Sequence, residues 1–159
     1  MAVVPLGINM ADYNDKITSA VPLRIGYLAR IVPEKGLHNL AEAYCLMRKI
    51  SGLPETQMHV AGYLEGKHQG YLAGVRDMMR RAGLSDEFIY HGVLNREQKI
   101  DFMESLSLMS VPSEYEEPKG LFLLEAMAAG VPVVQPRRGA FPEIVEQTSG
   151  GRIFKAGDN

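Results

Sequence analysis

The 159-residue sequence has one cysteine, Cys45, so no internal disulfide can form, and a reducing, cytoplasmic setting is expected. It opens on MAVVPLGINM, which lacks the charged start and long apolar core of a secretory signal. No uninterrupted apolar stretch approaches the roughly 20 residues that cross a bilayer as a helix, which limits any membrane contact to the periphery. Excess charge is also missing. Lys plus Arg total 17 against 19 Asp plus Glu, and a net charge of -2 offers no field that would gather nucleic acid. Any anion site must therefore be local. There is no internal repeat, no low-complexity tract, and no G-x-G-x-x-G after the first apolar run, which argues against a dinucleotide-dependent oxidoreductase. The four histidines, His38, His59, His68 and His91, show no close metal-ligand spacing, so no metal site is expected.

What is present is a chain of one-domain size with 46% hydrophobic residues, enough to bury a core. Short apolar runs at Leu23–Leu28, Met58–Ala61, Phe88–His91, Leu106–Val111 and Val131–Val134 read as buried strands. Between them lie helical stripes. Leu37, Leu40, Ala41, Tyr44 and Cys45 form one, on a helix ending near Ser51 and Gly52. Leu72, Val75, Met79 and Ala82 form another, closed by Gly83. Asn95 and Gln98 have the spacing of a reciprocal N-cap ahead of Ile100, Met103 and Leu106. A fourth apolar segment, Leu121–Ala129, ends at Gly130. This alternation predicts an α/β, doubly wound (Rossmann-like) parallel sheet of about five or six strands with helices on both faces, and ligands at the strands' C-terminal ends. Residues 1–22, with Pro5, Gly7 and Pro22, read as an irregular segment, the remnant of an interdomain connection; residues 23–159 read as the domain.

Two stretches carry chemistry. The first apolar run leads into Ala29-Arg30-Ile31-Val32-Pro33-Glu34-Lys35-Gly36, which sets two cations just before a helix N-terminus. Helix amides with Arg and Lys supply directed donors and positive potential for a diphosphate; a solvated basic loop is the plainer alternative. The second stretch runs from Ser113 to Gly130. Glu125 lies among Leu123, Leu124, Ala126 and Met127, where an unpaired charge is costly, so it requires a polar partner. Either a pair of ribose hydroxyls or an arginine from a neighbouring element would serve. Gly120 stands where the chain turns into the helix and lets a phosphate or sugar approach the backbone, unless it is a simple turn glycine. Glu117 is placed to accept hydrogen bonds from a transferred sugar or to compensate the helix dipole. Lys119 is either a further anion contact or an exposed loop lysine. Arg137 and Arg138 open toward the same crevice, as substrate-anion contacts or as solvated charges.

Taken together, these blocks resemble the C-terminal domain of the group 1 glycosyltransferases, a large retaining family of the GT-B type. The likeness spans about residues 23–159. It rests on the Arg30–Gly36 loop, Val60-Ala61-Gly62, the E-x7-E motif from Glu117 to Glu125, Ala129-Gly130-Val131-Pro132-Val133-Val134, and the Gly139–Glu143 stretch. The resemblance implies one half of a GT-B fold that binds a UDP-, GDP- or ADP-sugar. Arg30 and Lys35 would grip the diphosphate, Glu125 the ribose and Glu117 the hexose, with Glu117 in the catalytic role. Amides around Lys119, Gly120 and Leu121 would assist, and the base would pack near Gly92, Val93 and Leu94. No cofactor or metal is implied. The sequence departs from the family at Ala29, Lys119 and Ala140, where glycine, an aromatic residue and glycine are usual. The family's N-terminal acceptor-binding domain has no counterpart among these residues, and the sequence is expected to stop short of the family's C-terminal helix.

Two other functions fit parts of this pattern. A glycosidase would use Glu117 and Glu125 as a carboxylate pair, but leaves Arg30 and Lys35 unexplained. A non-catalytic nucleotide-sugar-binding module or subunit would keep the pocket without turnover.

Overall fold

The computed structural model describes residues 7–13 and 21–157. Most of the expected connection remnant, 1–6 and 14–20, lies outside the described residues, as do the last two residues of the chain. Six strands alternate with five α-helices: β1 Leu23–Leu28, α1 Leu37–Met47, β2 Thr56–Ala61, α2 Gln69–Arg81, β3 Phe88–Tyr90, α3 Arg96–Glu104, β4 Leu108–Met109, α4 Leu121–Ala128, β5 Val133–Pro136, α5 Phe141–Thr148 and β6 Gly151–Phe154. They form one sheet in the order β3-β2-β1-β4-β5-β6, and every neighbouring pair is parallel. That is the doubly wound arrangement that the alternating pattern predicts. No helix among the described residues is long and apolar enough to cross a membrane.

The two faces of the sheet build separate cores. On one, Tyr27, Met58 and Val60 pack with Leu37, Leu40, Ala41 and Tyr44 of α1 and Leu72, Val75 and Met79 of α2. On the other, Met109 and Val133 pack with Phe102 and Met103 of α3, Leu123 and Ala126 of α4, and Phe141 and Val145 of α5. Burial on both faces is why the strands are nearly continuous apolar runs instead of alternating ones.

Several boundaries move by a turn or less, each for a local reason. β2 starts at Thr56, because the parallel ladder pairs it with Leu23 at the start of β1. β5 starts at Val133, because the Val131 amide closes the end of α4 on the Ala126 carbonyl at 2.9 Å and Pro132 has no amide to donate. α1 ends at Met47, where Lys49 and Ile50 donate three residues back to Leu46 and Met47 and tighten the chain out of the helix. α3 begins with the expected capping box: the Asn95 side chain accepts from the Gln98 amide, and the Gln98 side chain accepts from the Asn95 amide. α5 and β6 were not read as elements from the sequence. Only the Gly139–Glu143 stretch at the start of α5 stood out.

The sheet order reverses direction between β1 and β4. The chain leaves β1 toward a helix on one face and leaves β4 toward a helix on the other, which makes the crevice at the C-terminal ends of these two strands the topological switch point.

Candidate functional site

The loop after β1 reaches the crevice through a 3₁₀ turn, Pro33–Lys35, with proline at its first position. Gly36 ends this turn and caps α1 with φ of 70°, and a Cβ there would fall 1.9 Å from the Pro112 carbonyl oxygen. Only glycine allows the loop after β1 to lie directly against the loop after β4. A backbone bond from the Glu114 amide to the Glu34 carbonyl, 2.9 Å, fastens the two.

This contact delivers Lys35 to Glu117. The Lys35 ammonium donates to Glu117 Oε2 at 2.5 Å and to the Tyr115 hydroxyl at 2.5 Å. The Tyr115 hydroxyl in turn donates to the same carboxylate oxygen at 2.7 Å. The ammonium also lies 4.8 Å from the centre of the Tyr115 ring and 5.8 Å from that of Phe122. Lys35 and Glu117 are both buried. Burial pushes the Glu117 carboxyl upward, but the hydrogen bonds from Lys35 and Tyr115, the lysine charge and the Gly120 backbone outweigh it and hold the group below its ordinary value. Glu117 is therefore an ionised carboxylate at the N-terminus of α4, its charge met by one lysine, one phenol and the helix backbone.

The loop before α5 supports this cluster from beneath. Gly139 has φ of 51°, and a Cβ on it would lie 2.2 Å from the Glu117 carbonyl oxygen. The Ala140 amide donates to that carbonyl at 2.8 Å, and the Gly139 amide donates to the Glu116 carboxylate. The Gly139–Glu143 block thus acts on the site by holding the backbone of Glu117 and the side chain of Glu116.

The remaining sequence-predicted residues divide clearly. Arg30 is exposed and shares with Lys35 a cleft of about 350 Å³, to which Tyr115 also contributes. Gly120 is buried, caps α4 in the left-handed region at φ of 58°, and carries Leu121 as the first helical residue. Lys119 is exposed on the loop above them. Glu125, in the middle of α4, is not free: the Lys99 ammonium of α3 donates to its Oε1 at 2.5 Å. Of the two kinds of partner open to Glu125, the ion pair is the one in place, made by a lysine where the expectation was an arginine. Gly92 ties the loops after β2 and β3 by accepting from the Gly62 amide at 2.8 Å, while Val93 beside it is 66% exposed. Arg138 lies 3.8 Å from the Glu116 carboxylate and so faces a carboxylate of the chain itself.

Sequence reasoning missed four contributors. Tyr115 stands two residues before Glu117, in a loop read for Glu117, Lys119 and Gly120 and not for its tyrosine. Lys67 and His68 come from the turn after β2 and line the same cleft as Arg30 and Lys35. Lys99 left a signal that could have been read: with Arg96 it puts two cations at the start of α3, against the helix dipole, and such cations need carboxylate partners. Asp12 meets Arg96, and Glu125 meets Lys99. Volume does not mark the site, since a larger hollow of about 740 Å³ lies against α2 and β3 and contains none of these residues.

The fold and this crevice define a doubly wound α/β domain with a lysine–glutamate–tyrosine cluster at its topological switch point. The family model described as glycosyl transferases group 1 matches residues 15–159, and the chain belongs to that family. Over 138 residues it is 31% identical to the lipopolysaccharide core biosynthesis mannosyltransferase LpsB of Rhizobium meliloti, covering 84% of this chain and 37% of that protein. Anabaena HepE, solved in complex with UDP, is 27% identical with a TM-score of 0.74, over 85% of this chain and 35% of that one. Sucrose-phosphate synthase from Thermosynechococcus elongatus superposes with a TM-score of 0.81 at 21% identity, over 97% of this chain and 39% of that one, a likeness of fold. The chain spans about a third of the length of the curated relatives it matches.

Proposed function

We propose that this chain is the nucleotide-sugar-binding domain of a retaining glycosyltransferase that moves a hexosyl group from a nucleoside-diphosphate sugar to an acceptor. The observation that carries the reading is the Lys35–Tyr115–Glu117 cluster, seated at the switch point and at the N-terminus of α4. Lys35 and Arg30 take the diphosphate, with the amides around Lys119, Gly120 and Leu121. Glu117 accepts hydrogen bonds from the hexose, Glu125 meets the ribose, and the loop at Gly92 and Val93 packs on the base. As the glycosyl bond breaks, charge builds on the departing diphosphate. Fixed cations and helix amides stabilise it without reorganising. HepE has been solved with UDP and with UDP-glucose at 26–27% identity to this chain, which supports a nucleoside-diphosphate sugar as the ligand. The resemblance assigns acceptor binding to the N-terminal domain of such enzymes.

A glycosidase fits less well. Each glutamate is neutralised by its own lysine from a different element, and Glu117 is held ionised, the reverse of the raised pKa that a general acid needs.

Calorimetric titration with UDP, GDP, ADP and their glucose and mannose conjugates tests the proposal. One nucleotide family should bind saturably, and Lys35→Ala should weaken it by roughly tenfold or more, the loss of a charge-assisted hydrogen bond. Absence of binding by any of them, or unchanged affinity in a folded Lys35→Ala variant, overturns it.

A further inference from the structure

Glu125 meets the charge of Lys99 through one oxygen only. Lys99 donates to Oε1, and among the described residues no donor reaches Oε2. The pair is partly open, with the lysine side chain 30% and the glutamate side chain 21% exposed, so an incoming hydroxyl can reach the carboxylate. The other cation on the first turns of α3, Arg96, is paired with Asp12; it feels the charge of Glu125 but makes no hydrogen bond to it. Tyr13 and Leu94 pack against the same core cluster as Leu123 and Ala126 of α4, and so wall this corner of the domain.

Lys99 is also placed by the chain in a particular way. α3 starts at Arg96, directly after the loop of Gly92 and Val93, and the reciprocal Asn95–Gln98 cap makes the junction rigid. Whatever positions this loop therefore positions Lys99, and through it the Glu125 carboxylate.

On the donor-site reading above, we propose that Lys99 is a positioning residue for the ribose. Its ammonium takes Oε1 and fixes the rotation of the Glu125 carboxylate, leaving Oε2 to accept from the sugar hydroxyls. The loop after β3 and the ribose carboxylate then act as one unit, joined through α3. Without Lys99 the carboxylate turns freely and loses its acceptor geometry, while the diphosphate contacts remain.

The test compares UDP, GDP and ADP, each with its 2′,3′-dideoxy counterpart, by calorimetry on the wild-type chain and on Lys99→Met, Lys99→Arg and Glu125→Gln, with circular dichroism to confirm folding. The wild type should prefer the ribonucleotide by about tenfold or more, since a site built around hydroxyls is left unpaired by an analogue without them. Lys99→Met should reduce this preference to about threefold or less while changing dideoxynucleotide affinity by no more than about twofold, and Lys99→Arg should restore most of it. A full ribose preference in Lys99→Met, with Glu125→Gln having lost it, overturns the proposal and leaves the donor site standing. An equal loss for both kinds of nucleotide in Lys99→Met marks a merely structural lysine and overturns it too. No ribose preference in the wild type, or no nucleotide binding at all, overturns the donor-site reading and this proposal with it.

Discussion

At the scale of residues, the two glutamates of the E-x7-E motif each belong to a lysine from another element, and the two pairs differ in burial. The Lys35–Glu117 pair is nearly closed to solvent, with side chains 11% and 10% exposed. Removing one member strands the other. Glu117→Ala is therefore expected to lower stability by about 3 kcal/mol in urea denaturation, whereas Glu117→Gln, which keeps the shape and one acceptor, should cost distinctly less. Equal losses would show that the stranded ammonium, not the lost packing or acceptor, dominates. Arg30, Lys35, Glu117, Gly120 and Glu125 were all legible in the sequence as site candidates, because charges beside glycine at strand ends or among apolar residues need a reason. Their partners were not. Tyr115 and Lys99 look like ordinary surface residues until the fold sets them 2.5 Å from Lys35 and Glu125 respectively.

At the scale of elements, the helices with strong local signals matched expectation, and the short strands did not keep their limits. α3 is the clearest case, since its capping box is a local device that forms wherever Asn and Gln fall three residues apart at a helix start. Asn95→Ala should cost about 1 kcal/mol, read as a lowered thermal midpoint. No loss would mean that α3 is fixed by Phe102 and Met103 alone. β4 was expected over six positions and pairs at two, Leu108 and Met109, because the ladder is limited by what β1 and β5 present at that register. α5 and β6 went unread for a related reason. Phe141, Ile144 and Val145 give α5 an apolar stripe at i, i+3 and i+4, but over only eight residues, and Gly151–Phe154 becomes a strand because β5 offers it an edge at Val133–Pro136.

At the scale of the whole molecule, a histidine pair, His59 buried in β2 and His91 exposed just after β3, links stability to pH. His59 Nδ1 and His91 Nε2 are 2.9 Å apart, and His59 Nε2 lies 3.1 Å from Gln57 Oε1, so the network closes with neutral rings. Burial, the neighbouring His91 and Arg24 lower His59 from 6.5 to about 4, and partial desolvation with Arg24 lowers His91 as well. The unfolded chain therefore binds more protons than the folded one once pH falls below 6.5. The stability held by the neutral pair is complete above that value and is lost between about 6.5 and about 4. Urea midpoints taken from pH 7.5 to 4.5 should fall by an amount equivalent to about 2 kcal/mol. Glu117 adds to acid sensitivity only below the ordinary carboxylate range, so a flat profile across this window would contradict the assignment to the histidines. The sequence by itself determined the class of fold, since apolar runs separated by helical stripes can be buried together only as a parallel sheet between two helical layers. It also determined which charged residues were out of place in that pattern. The tertiary structure decided how those charges are satisfied. Lys35 with Glu117, Lys99 with Glu125 and His59 with His91 are 82, 26 and 32 residues apart. Contacts at such separations follow from strand order and loop closure, which no local pattern encodes.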